Sequence, residues 1–326
     1  MKLTIISSLF LILLICKKVN KGQIHGISQE NFNCLKGIMA IAVVLHHLSF
    51  KVHIDIFREL FIDFGSVAVG CFFFISGYGL LSSYKIKGYR YLNGFLLKRF
   101  RKLIMPFLVV ILLFQIINQE SWNITECLST GQVNYLLPYS WYIFCSIIFY
   151  FVFYILFKFV RNIDINIFLI FLFTVILICL FRAIGWPLYW WSSLLLFPMG
   201  LLYKRIEKVF VDRENFYFIV AILSIDIIII LIRFFDFSDT EFIRKDLEPL
   251  IFILPLATLN LSSKYLRYLG SISYEIYLIQ GIVFYLLQNL VKDNIAYISL
   301  SIISIIILSQ IIKYALDKLD YLLYER

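Results

Sequence analysis

The sequence predicts an all-α, polytopic membrane bundle of ten transmembrane helices, with a short N-terminal segment as a candidate eleventh. Three observations carry that expectation: composition, the spacing of apolar runs, and the placement of basic residues. Of the 326 residues, 61% are hydrophobic and only 16% are charged, with a mean hydropathy of +0.88. Soluble domains carry about 25% charged residues, so a soluble protein is excluded. The aromatic share of 18% suits lipid-facing and interfacial positions. The net charge of +9 would suggest nucleic acid in a soluble chain. Here it is read as topology and headgroup contact, with the lipid bilayer as partner and no nucleic acid.

Taken in order, residues 1–30 hold a short apolar segment and a basic linker. The apolar run at 3–16 falls below the ~20 residues a span needs, and no small-residue cleavage site follows it. Residues 31–312 form the ten-helix domain. The spans are placed near 32–50, 65–83, 103–119, 139–158, 165–181, 188–203, 215–233, 249–262, 268–291 and 295–312. Residues 313–326 are read as a short amphipathic cytoplasmic tail.

Basic residues orient this arrangement, because cytoplasmic loops are enriched in Lys and Arg. With the start of 32–50 on the cytoplasmic side, the inner segments hold 22 of the 30 Lys and Arg, the outer ones hold 7, and Lys2 is left aside. The loop 120–138 has neither Lys nor Arg, and 234–248 is rich in Asp and Glu. Both fit the outer face. The expected location is the plasma (inner) membrane, with both ends of the ten-helix domain in the cytoplasm.

The run 32–50, FNCLKGIMAIAVVLHHLSF, carries the first chemistry. Titratable groups are costly in hydrocarbon and are functional candidates by default. Lys36 and His47 are eleven residues apart. At about 100° per residue they share one helix face, about 16 Å apart along the axis. His46 falls off that face. The bland alternatives are a snorkelling lysine and a histidine bonded to a neighbouring helix.

Four further stretches stand out. In VGCFFFISGYGLLSSY (69–84), the glycines permit close backbone approach, and Ser76 and Tyr78 are polar groups needing partners. In GFLLKRFRKLIMP (94–106), Lys98, Arg99, Arg101 and Lys102 precede Pro106. They suit phosphate oxygens, and equally topology alone. In PYSWYIF (138–144), Trp141 suits either an interfacial belt or a sugar platform. In LGSISYEIYLIQG (269–281), Glu275 enters the membrane and needs a partner from Lys36, His47 or the basic loop. Ser273, Tyr277 and Gln280 share one helix face there. The cysteines form no CxxC or metal-ligand spacing, and no Walker, GxGxxG, HExxH or GxSxG motif occurs. No metal is expected.

These stretches together resemble the acyltransferase-3 family, integral-membrane enzymes that O-acetylate cell-surface sugars. The resemblance covers roughly residues 30–312. The family's Arg, ten residues, His pattern has Lys36 in place of Arg and His47 in register. Gln280 stands where many members have His. The resemblance implies acetyl-CoA or another acyl-CoA as donor substrate rather than a resident cofactor. It implies a polysaccharide or glycan hydroxyl as acceptor. His47 would act as general base, with Lys36 and Glu275 beside it. Lys36, Arg99, Arg101 and Lys102 would hold the CoA phosphates. Ser76, Tyr78, Trp141, Tyr277 and Gln280 would face substrate. A carrier or flippase for lipid-linked glycans, or a polymerase, is the alternative. A polymerase should carry a long outer loop with arginines; of the longest outer loops here, 120–138 has none and 234–248 is acidic.

Overall fold

The computed structural model describes residues 27–119, 130, 131, 133, 136–212, 241–254, 261 and 263–324. The apolar segment at 3–16, the span at 215–233, part of the span at 249–262 and most of the loop 120–138 lie outside the described residues. No strand occurs among the described residues. In chain order the helices are α1 (Gln29–Ser49), α2 (Asp55–Phe61), α3 (Phe64–Lys87), α4 (Phe95–Arg99), α5 (Met105–Asn118), α6 (Trp141–Phe159), α7 (Ile163–Ala183), α8 (Leu196–Asp212), α9 (Glu241–Ile253), α10 (Lys264–Ser271), α11 (Ser273–Leu287) and α12 (Asn294–Tyr324).

Among the described residues, six helical stretches are long and apolar enough to cross a membrane, or seven with α10 and α11 as one span bent by 67°. The chain is an all-helical membrane protein. The segment 188–203 departs from the expected single span. A 3-10 turn at Leu188–Trp190 comes first, and α8 starts only at Leu196. The reason is local: Ser193 adopts φ 67°, and Trp190 donates its indole N–H to the Gly131 carbonyl at 2.6 Å. The last helix also differs, since α12 runs unbroken to Tyr324 through residues read as a separate tail.

α1 starts where Ser28 caps it, its hydroxyl accepting from the Asn31 amide at 3.0 Å. Without water to drive association, membrane helices pack through small residues. Gly77 on α3 faces the Phe197 carbonyl of α8, and Gly200 on α8 faces the Phe74 carbonyl of α3; a Cβ at either would overlap that oxygen. The α1–α10 crossing uses the same device, with Gly37 against Leu266 and Gly270 against Asn33. The first crossing locks α3 to α8, and the second fixes α10 against α1, the helix that carries Lys36 and His47.

A stacked aromatic core fills the space between α3, α6 and α8. Phe149 and Phe197 stack with centroids 4.4 Å apart, and Phe73 meets Phe149 edge-on at 5.7 Å. Offset and edge-to-face pairs of this kind add to the energy of burial.

Candidate active site

Two cavities lie along α1. One, named inner for its place near the start of α1, has a volume of about 440 Å³ and is lined by Lys36, Ser76, Arg99, Arg101, Lys102, Glu275 and Tyr277, together with Phe72, Tyr142, Tyr150, Lys313, Asp317 and Asp320. It therefore gathers seven of the residues given a catalytic, donor or substrate role from sequence, drawn from four separated stretches. Its lining carries five cations (Lys36, Arg99, Arg101, Lys102, Lys313) against three carboxylates (Glu275, Asp317, Asp320).

Local geometry explains how the basic run reaches this cavity. Pro106 has no N–H to donate back into the preceding turn, and its ring crowds that turn. The backbone widens into a π turn over Phe100–Ile104, in which the Met105 N–H bonds the Phe100 carbonyl. Arg101 and Lys102 sit in that turn. Arg99, just before it, lies over the Tyr150 ring at 4.7 Å and the Phe95 ring at 5.1 Å, and donates to the Tyr91 hydroxyl at 2.9 Å. Arg101 donates to Asp320 at 2.6 Å. The Ser76 and Tyr150 hydroxyls are 3.1 Å apart.

The break at Ile272 places the first turn of α11 in the same wall. Ser273, Tyr274 and Glu275 line the cavity there, and the leading N–H groups of a helix favour anions. The expected ion partner for Glu275 is not found among the described residues: its Oε2 is buried without a hydrogen-bond partner. The bend turns Glu275 onto the cavity wall rather than towards another helix. Lys313 donates instead to the Ser271 carbonyl.

The other cavity, named outer for its place at the far end of α1, has a volume of about 360 Å³ and is lined by His46, His47, Asp63, Ser66, Tyr139, Trp141, Tyr189, Ser192, Ser193, Lys245 and Tyr277. His47 stacks on the Tyr139 ring, with centroids 3.6 Å apart and planes at 20°. His46, expected to point away, also reaches this cavity. Its Nδ1 lies 3.4 Å from the Phe61 carbonyl, and its ring meets Phe50 edge-on at 5.0 Å. The shared helix face of Lys36 and His47 thus serves two different cavities, one at each end of the helix.

The family model described as an acyltransferase domain matches residues 29–314. The chain belongs to the acyltransferase-3 family. Comparison with curated proteins gave no match, and neither did comparison with solved structures. Membership makes the chain a membrane acyltransferase, and the two cavities are the candidate places for its chemistry.

Two of the residues proposed to face substrate line neither cavity. Tyr78 is buried and donates to Glu207 Oε2 at 2.6 Å, while Lys204 pairs with the same carboxylate. That cluster ties α3 to α8. Gln280 is fully buried and donates to the Tyr277 carbonyl at 3.1 Å. In this acyltransferase-3 chain, sequence reasoning missed Tyr139, Tyr150, Asp63, Lys245 and Lys313. A lysine at the polar end of the apolar run 295–312 could have flagged Lys313. Nothing in the sequence joins Asp63 to Lys245, which come from distant segments.

Proposed function

We propose that this protein moves an acetyl or other acyl group from cytoplasmic acyl-CoA to a hydroxyl of a cell-surface or secreted polysaccharide, in the plasma membrane. The observation that carries the proposal is the inner cavity, where five cations surround one opening. CoA bears a pyrophosphate and a 3′-phosphate, and charge-assisted contacts from Arg and Lys suit them. In the orientation favoured by the basic loops, with ten spans and both ends cytoplasmic, that cavity opens on the side where acyl-CoA is made.

The outer cavity supplies the complementary half. Of the titratable groups that line it, His47 is the one in register with the family's histidine, and Trp141, Tyr139 and Tyr189 offer aromatic faces to a sugar. His47 takes the proton of the attacking hydroxyl. The hydroxyl oxygen forms the new ester bond as the thioester C–S bond breaks, and the thiolate of CoA takes up a proton. Lys36 lies on the route of the thioester and offsets negative charge there. About 16 Å of helix separates Lys36 from His47, so the thin pantetheine arm must extend from one cavity towards the other.

The test is chemical analysis of surface glycans from cells with and without this chain. Loss of an O-acyl signal, restored by the intact gene product, supports the proposal. An unchanged O-acyl profile with altered glycan amount or length would favour a carrier or polymerase.

A further inference from the structure

Tyr277 is the one residue shared by the linings of the two cavities among the described residues. Its position is over-determined. Its ring meets Tyr142, a wall residue of the inner cavity, edge-on at 5.4 Å. Its hydroxyl donates to the carbonyl of Tyr139, a wall residue of the outer cavity. Only 6% of its surface is exposed.

Tyr139 is held so as to offer that carbonyl. It has φ 68°, a left-handed conformation rarely adopted by an aromatic residue. The turn before it lies directly on α11. Pro138 sits over Gly281, where an added Cβ would come within 2.8 Å of the proline ring. Gly281 is one turn beyond Tyr277, so the same helix supplies both the seat for the turn and the side chain that bonds it. The Tyr139 ring, in turn, stacks on His47.

We propose that Tyr277 is a gate between the donor and acceptor cavities. Closed, it bonds the Tyr139 carbonyl and divides the passage. When its ring swings away, the two cavities join, and a thin acyl-bearing arm can reach His47. A single side chain makes the closure, held by neutral hydrogen bonds at its hydroxyl and by the edge-on contact with Tyr142, and rotation of that side chain opens it. The gate also separates the thioester from outside water until the acceptor cavity is in use. This role rests on the donor and acceptor assignment above, but its test needs no acyl transfer, so the two fail separately.

The experiment is accessibility of the outer cavity from the inner side. Ser192, in the outer wall, is replaced in the full chain (Ser192→Cys). Membranes with the Lys87–Tyr91 loop facing the medium are treated with a bilayer-impermeant methanethiosulfonate, and labelling is corrected for the parent chain's own cysteines. With Tyr277 intact, labelling should be slow. Tyr277→Phe keeps the ring and removes the hydrogen bond, and should speed labelling roughly 2- to 10-fold, the range one such bond commands. Tyr277→Ala should speed it further. Labelling from the opposite face should stay equal in all three, which reports an intact fold. If Tyr277→Ala unfolds the chain, Tyr277→Phe decides alone. Fast labelling with Tyr277 intact, or unchanged labelling in Tyr277→Phe and in a folded Tyr277→Ala, would overturn the gate.

Discussion

Arg99 is the cation whose removal should most directly weaken donor binding. It lines the inner cavity, and its guanidinium is oriented by the Tyr150 and Phe95 rings at 4.7 and 5.1 Å and by the Tyr91 hydroxyl. A guanidinium held in this way loses little freedom on meeting a phosphate. Losing one charge-assisted contact costs about 1.5–3 kcal/mol, or roughly 10- to 150-fold in affinity. Arg99→Ala should therefore raise the apparent KM for acetyl-CoA by that factor while leaving the acceptor KM nearly unchanged. Arg99→Lys should fall between, since it keeps the charge and loses the planar stacking. Arg101 provides the control. Its ion pair with Asp320 at 2.6 Å already balances its charge, so removing both partners together (Arg101→Met with Asp320→Asn) should cost less than Arg99→Ala alone. The assay is initial-rate transfer from labelled acetyl-CoA in membranes, with donor and acceptor varied separately. An unchanged donor KM in Arg99→Ala, or an equal rise in both KM values, would refute the reasoning.

Two further outcomes follow from the packing. Gly77→Leu should abolish the monodisperse folded peak in detergent, because the new side chain meets the Phe197 carbonyl, whereas Gly79→Ala, with open space around it, should be tolerated. Both should be read by size-exclusion chromatography, and a folded Gly77→Leu would contradict the α3–α8 crossing. On α9, burial pushes the Asp246 carboxyl up to about 8, against a weaker opposing pull from the Leu195 amide. The folded state therefore binds its proton more tightly than the unfolded state, whose carboxyl titrates near 4. That contribution lowers stability as pH rises from about 4 to 8. Asp246→Asn should flatten the fall in Tm between pH 5 and pH 8, and identical slopes in the two proteins would contradict the assignment.

Much of this was legible because the local physics is one-dimensional. Apolar runs set the helices, and the eleven-residue spacing of Lys36 and His47 put both on one face of α1. The basic run ahead of Pro106 is likewise visible from sequence, since a proline must disturb the turn before it. What sequence did not reveal depends on contacts between distant segments. The 67° bend at Ile272 carries no Pro or Gly at that residue and arises from how α10 seats against α1 through Gly37 and Gly270. Wheel geometry placed His46 away from the site, yet the outer cavity is wide enough to take in both histidines. Tyr78 has the composition of a substrate contact, and only the approach of Lys204 and Glu207 on α8 reveals its tie to them. The left-handed Tyr139 has no sequence signal beyond the preceding Pro138.

The central claim is that His47, at the outer end of α1, takes the proton of the acceptor hydroxyl. Its most direct test is acetyl transfer from labelled acetyl-CoA into glycan by membranes bearing His47→Ala, His46→Ala or the unaltered chain, normalised to the amount of inserted protein. Loss of a general base lowers rate by about 10²–10⁴, so His47→Ala should fall by that factor at unchanged expression. His46→Ala, which gives up a contact with the Phe61 carbonyl and the Phe50 ring, should retain most of the activity. Activity of His47→Ala equal to that of the unaltered chain would contradict the account.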